Sequence, residues 1–105
     1  MSITPNAPGG GYQGENAVLP EVKKDSLKRI SYIEGHVIGI RRMLEQDQYC
    51  VDVLKQTFAV RRAIEKLEHR IMSGHLRTHV TEGIREGRED AVLEELLDLY
   101  GLASK

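Results

Sequence analysis

Ile30, Ile33, Val37, Ile40 and Leu44 follow one another at steps of three and four residues, and after a short break so do Val53, Thr57, Val60, Ile64, Leu67 and Ile71. Such spacing draws one narrow apolar stripe along an α-helix and leaves the rest of its surface polar. No stretch alternates with the two-residue period of a strand. The pattern predicts an all-α chain. A first long helix runs from Glu21 to about Gln46, and a second continues to around Gly83 to Gly87. A third, shorter helix covers Glu89 to about Leu99, with Val92, Leu93, Leu96 and Leu97 inward. Asp47 is the expected N-cap of the second helix, which places Cys50 in its first turn. Gly74 is a point where that helix could bend. Gly35 and Gly39, four apart, suggest close helix packing.

Two helices with one stripe each form a hairpin that covers one side and leaves the other open. Tryptophan is absent and there is a single phenylalanine, so a core confined to one copy would be thin. An antiparallel dimer that packs four long helices solves the burial problem. The folded part is expected to be residues 21–105. Residues 1–20 hold all three prolines and one charged side chain, Glu15, and are read as a flexible tail. That tail lacks the basic start and apolar centre of a signal peptide, and no later run is long and apolar enough to span a membrane. A lone cysteine excludes an internal disulfide and suits the cytoplasm, where thiols stay reduced.

Charge is unevenly placed. Residues 21–80 carry 12 Lys/Arg against 8 Asp/Glu, whereas residues 81–105 carry 3 against 7. The basic residues include Lys23-Lys24, Lys28-Arg29, Arg41-Arg42, Arg61-Arg62 with Lys66, and Arg70. They form either a solubilising helix surface or a face that meets phosphates, and spacing alone does not choose. Enzyme signatures are missing: there is no Gly-rich phosphate loop, no H-E-x-x-H and no G-x-S-x-G turn. No catalytic residue is assigned.

Cys50, His75 and His79 stand out as a metal-ligand set, one thiol and two imidazoles. His75 and His79 are four apart and share a helix face. On a continuous helix Cys50 would lie roughly 37 Å from His75 at 1.5 Å per residue. The thiol must then come from a second copy, and an antiparallel dimer brings it there. Taken singly, each residue has a plainer reading: a cysteine is often a small buried apolar side chain, and histidines are often solvated. His36 and His69 take that plainer reading.

Two stretches carry a more specific signal: Arg29-Ile30-x-x-Ile33-Glu34-Gly35-His36-Val37-x-Gly39-Ile40, and Asp47-Gln48-Tyr49-Cys50-Val51-Asp52-Val53-Leu54. Together they resemble the first helix and turn of the copper-sensing operon repressor family (the CsoR/RcnR/FrmR group), and the resemblance covers about residues 21–100. It implies a small all-α transcriptional repressor, an antiparallel four-helix dimer that pairs into a tetramer. Such a protein would bind double-stranded operator DNA and leave it on taking up Cu(I). It further implies that Cys50 of one copy and His75 of the other hold the metal together with position 79. Copper sensors often carry Cys at that last position; His79 stands here. An imidazole in place of that thiolate relaxes the preference for Cu(I) toward Zn(II), Ni(II), Co(II) or Cu(II). Tyr49 and Glu95 match residues that link to the metal-bound histidine, and Glu95 would couple metal occupancy to the third helix.

The same resemblance separates the branches. Nickel and cobalt sensors use an additional N-terminal His, and the region around Val18 has none. Persulfide sensors need a second Cys at the position of His75. Formaldehyde sensors use an N-terminal proline amine, and this chain starts Met-Ser. The copper branch remains. For DNA the expected contacts are Lys28, Arg29, Arg61, Arg62 and Arg70, mainly to phosphates. The alternatives are a thiol-reactive aldehyde or sulfide sensor of the same fold, or a metal buffer with no DNA role.

Overall fold

The computed structural model describes residues 18–104. The tail expected over residues 1–20 therefore lies outside the described residues, apart from Val18, Leu19 and Pro20. Helices account for nearly all of the rest: α1, Pro20–Glu45; α2, Cys50–His75; a π-helical turn, Leu76–Val80; α3, Thr81–Arg85; and α4, Glu89–Ala103. No described helix is long and apolar enough to cross a membrane. The described chain divides into two units, residues 18–73 and residues 74–104.

The first unit holds α1 and most of α2. Pro20 opens α1 at a position where its missing N–H costs nothing, and Leu19 before it is extended. The helix ends where Asp47 adopts φ +55°. Its N–H bonds the Leu44 carbonyl at 3.1 Å, and the Gln48 N–H bonds the Met43 carbonyl at 3.0 Å. This pair of bonds is a Schellman ending, with an aspartate tolerated in the left-handed position. Asp47 thus stops α1 and does not cap α2. The second helix starts instead at Tyr49, whose carbonyl accepts the N–H groups of Asp52 (3.0 Å) and Val53 (3.2 Å).

Half of each predicted stripe meets the other helix. Ile33, Val60 and Leu67 form a buried cluster, with Ile30, Ile40 and Ala63 against it. The other half faces outward: Val37 is 48% exposed, Leu44 60% and Ile64 39%. A seam so split suits two contacts, one inside the hairpin and one beyond it. Two polar contacts bridge the helices, His36 Nε2 to Gln56 Oε1 at 2.6 Å and Arg70 Nε to Asp25 Oδ2 at 3.2 Å. His36 is therefore an interhelical tie, with Tyr32 edge-on at 5.7 Å. The close packing expected at Gly35 and Gly39 is not found among the described residues, where a Cβ at either would meet nothing within 4 Å.

The second unit holds His75, the π-helical turn, α3 and α4. Just after Gly74 and His75 the α-helix gives way to that turn. Threonine hydroxyls bond carbonyls in and just before it: Thr78 Oγ1 donates to the Gly74 carbonyl at 2.7 Å, and Thr81 Oγ1 to the Leu76 carbonyl at 3.0 Å. A second Schellman ending stops α3, with Gly87 at φ +78° and Arg88 N–H on the Gly83 carbonyl at 2.7 Å. It turns the chain so that α4 packs on α3. A Cβ added at Gly83 would lie 2.6 Å from Val92 Cγ2. Val92 is β-branched and cannot swing aside freely. Gly83→Ala is therefore expected to destabilise the fold by about 1–3 kcal/mol, the usual cost of overpacking, in chemical denaturation. Adding Val92→Ala, which removes the obstructing methyl, should recover part of the loss.

Helix α4 extends to Ala103, four residues beyond the expected end, and buries none of its residues fully. Val92 and Leu96 are half-buried. Leu93 and Leu97, expected inward, are 54% and 67% exposed. They continue into Tyr100 at steps of four and three, a second apolar stripe on the outer side.

Candidate metal centre and basic face

His75 is the last residue of α2 and His79 lies in the π-helical turn. A π-bulge frequently marks a functional position in a helix. The spacing argument assumed regular α geometry, yet the two side chains still meet, with ring centroids 5.4 Å apart and planes inclined at 49°. Two imidazoles at that separation can serve one ion. Across from them, Glu95 of α4 places Oε1 2.7 Å from His75 Nε2. The carboxylate accepts from that nitrogen when it carries a proton, which leaves Nδ1 with a lone pair for a metal.

Cys50 is the first residue of α2 and is exposed. Tyr49 precedes it, 68% exposed. The continuous helix from Cys50 to His75, on which the separation argument rested, is present. Accordingly, no cluster of three or more metal-ligating side chains forms among the described residues of a single chain. The structure gives His75 two separate neighbours, the His79 ring and the Glu95 carboxylate; Tyr49 and Cys50 stand at the start of α2.

The basic candidates all lie in the first unit. Arg29 and Arg70 share one acceptor, Asp25 Oδ2, at 2.9 Å and 3.2 Å. The hydrogen bond from Arg29 holds the Asp25 carboxyl below its ordinary value; partial burial opposes this and Arg70 reinforces it. Arg61 stacks on Phe58, 5.1 Å from the ring centroid. Lys28 and Arg62 are exposed. Arg29, Arg62 and Arg70 line a shallow cleft of about 410 Å³ with Glu65, Lys66, His69 and Ser73. Sequence reasoning did not pick out Asp25 or Ser73, counted Lys66 only among the basic residues, and set His69 aside. Their grouping follows from helix pairing, though the four-residue spacing of Lys66 and Arg70 hinted at a shared face.

Residues 22–101 match the model of a family described as metal-sensitive transcriptional repressors. Among characterised relatives, a copper-sensing transcriptional repressor CsoR of Mycobacterium ulcerans is 40% identical over 80 residues, 76% of this chain and 68% of the relative. One of Bacillus subtilis is 37% identical over 79 residues, 74% of this chain and 78% of the relative. The crystal structure of the copper-sensing repressor CsoR with Cu(I) from Geobacillus thermodenitrificans superposes with a TM-score of 0.79 at 32% identity. It covers 83% of this chain and 91% of that one.

Proposed function

The chain belongs to the metal-sensitive transcriptional repressor family, and from that premise we propose that it is a copper-responsive repressor acting in the cytoplasm. Without copper it binds operator DNA; on taking up Cu(I) it lets go. The observation that carries the reading is the group at the end of α2: two imidazoles with centroids 5.4 Å apart, one already held by a carboxylate from α4 at 2.7 Å. A histidine oriented through its outer nitrogen is the usual form of a metal-ligating imidazole.

The ligand set is Cys50 from one copy with His75 and His79 from another. A thiolate and two imidazoles form a donor set that fits a soft, low-coordinate ion such as Cu(I), and the imidazole at position 79 leaves Zn(II), Ni(II), Co(II) and Cu(II) as competitors. Copper so bound supplies a cross-link between two copies. Support for an assembly comes from the outward seam residues Val37, Leu44 and Ile64 and from the outer stripe of α4. An antiparallel dimer, paired into a tetramer, covers both.

The chain's own groups do the rest. His75 Nε2–H donates to Glu95, so fixing the His75 ring also fixes where α4 lies on its own unit. Tyr49 stands beside the thiol and helps hold the ring from the other copy. Lys28, Arg29, Arg61, Arg62 and Arg70 present positive charge to DNA phosphates. Copper and DNA favour different shapes of the assembly, so each weakens the other by the same factor. Fluorescence anisotropy of a labelled promoter duplex bound to the apo protein tests this: adding Cu(I) should release the duplex. Equal DNA affinity with and without Cu(I) would leave a metal buffer or a structural oligomer in its place.

A further inference from the structure

Arg29 and Arg70 come from different helices, 45 residues apart in sequence, yet both turn Nε toward the same oxygen, Asp25 Oδ2. Their Nη groups make no hydrogen bond among the described residues. All three side chains are a little over one-third exposed, at 37–39%. Beside them open the side chains of Arg62, Glu65, Lys66, His69 and Ser73, three of them basic or imidazole and one a carboxylate. We propose that Asp25 is a positioning residue for DNA binding: by holding Arg29 and Arg70 at Nε, it sets their four Nη nitrogens as one fork for a single backbone phosphate.

The proposal rests on the DNA-binding reading given above. Its physical basis is preorganisation. A free arginine loses rotamer freedom when it grips a phosphate, and one already held at Nε has less to lose. A guanidinium offers five donors in a rigid plane, so a bond at Nε leaves the Nη pairs for a second acceptor. Against this, the Asp25 carboxylate repels a phosphate. That repulsion acts across the guanidinium layer and through accessible solvent and salt, which screen it. The positioning acts at contact and is the larger effect. The fork also needs α1 and α2 in their present register, so any change in that register alters the grip.

The test uses the full-length apo protein and two labelled duplexes, one from its own promoter and one of scrambled sequence, over a series of salt concentrations. Asp25→Ala should weaken promoter binding about tenfold, the scale of one or two side chains newly ordered on binding. It should also flatten the plot of log affinity against log salt by about 0.9, the value of one phosphate contact. Asp25→Asn keeps an oxygen acceptor and should fall between wild type and Asp25→Ala. In a chain already carrying Arg29→Ala and Arg70→Ala, removing Asp25 should change nothing further. Unchanged or tighter binding by Asp25→Ala, with an unchanged or steeper slope, overturns the proposal: the carboxylate would then only compete with phosphate. So does an equal loss in the double-arginine background, which would show that Asp25 acts through stability alone. If the wild type binds neither duplex, the repressor reading falls first and the fork with it. If the wild type binds its promoter duplex and only the Asp25 variants depart from these expectations, the fork alone falls.

Discussion

Cys50→Ala is expected to abolish copper-triggered release of DNA while leaving the apo protein's grip on DNA almost unchanged. The thiolate is the softest donor in the proposed set and the one contributed from the far end of α2. Removing a group that merely supports a metal ligand costs about 10- to 100-fold in affinity, so removing the ligand itself should cost at least about 100-fold. Cys50 is exposed and makes no part of the buried cluster of Ile33, Val60 and Leu67. Its loss should therefore not disturb the hairpin that presents the basic residues. The measurements are a competition titration of Cu(I) against a chelator and the anisotropy release assay on the same preparation. Retained release by Cys50→Ala would exclude the thiol as a ligand. A thiol-reactive sensor would also fail with Cys50→Ala. It would, however, keep its response in His79→Ala, where the copper reading predicts a blunted one.

The second large effect is expected at Glu95. Glu95→Ala removes the hydrogen bond between the His75 ring and α4, at 2.7 Å. Copper affinity should fall by about 10- to 100-fold, as for other partners of metal-bound histidines. More tellingly, saturating copper should then release DNA only partly, because ring position no longer reports to α4. Glu95→Gln retains an acceptor without the charge, and a neutral acceptor bonds roughly half as strongly, so it should give an intermediate response. Full release by Glu95→Ala at saturating copper would show that α4 is not on the route from metal to DNA.

How much of this was readable from the chain depends on the range of the interaction concerned. Both long helices follow from a local pattern, and the ends of α1 and the start of α2 lie within about two residues of expectation, the usual uncertainty of such boundaries. The far end of α2 does not: expected around Gly83 to Gly87, it falls at His75, and the π-helical turn and α3 carry the winding on to Arg85. The stripe was legible as a stripe, but not its division into an inner half at Ile33, Val60 and Leu67 and an outer half at Val37, Leu44 and Ile64. That division is decided by how the helices roll on each other. Asp47 was misassigned because aspartate serves both as an N-cap and as a left-handed residue at a helix end, and the bonds that decide between them are made by neighbouring backbone. The π-helical turn has no compositional signal, although Gly74 beside it marked the weak point. His36 was set aside for want of a partner on its own helix; its partner, Gln56, lies across the hairpin. Asp25 escaped notice for the same reason, since one of its two arginines is 45 residues away.

The candidate site shows the same split. His75 and His79 were legible from spacing, and their rings meet even though the helix leaves α geometry between them. Glu95 came from the resemblance, and its contact with His75 is present in the structure. Cys50 remains the residue whose role depends on a second copy. The claim that one copper is held between two chains is tested most directly by mixing two inactive proteins. Cys50→Ala and His75→Ala chains, each alone, should bind no copper tightly. Co-expressed, they should regain tight copper binding, because a pair of unlike chains rebuilds one complete site from an intact Cys50 on one and an intact His75 and His79 on the other. No recovery in assemblies shown to contain both chains would contradict the shared site.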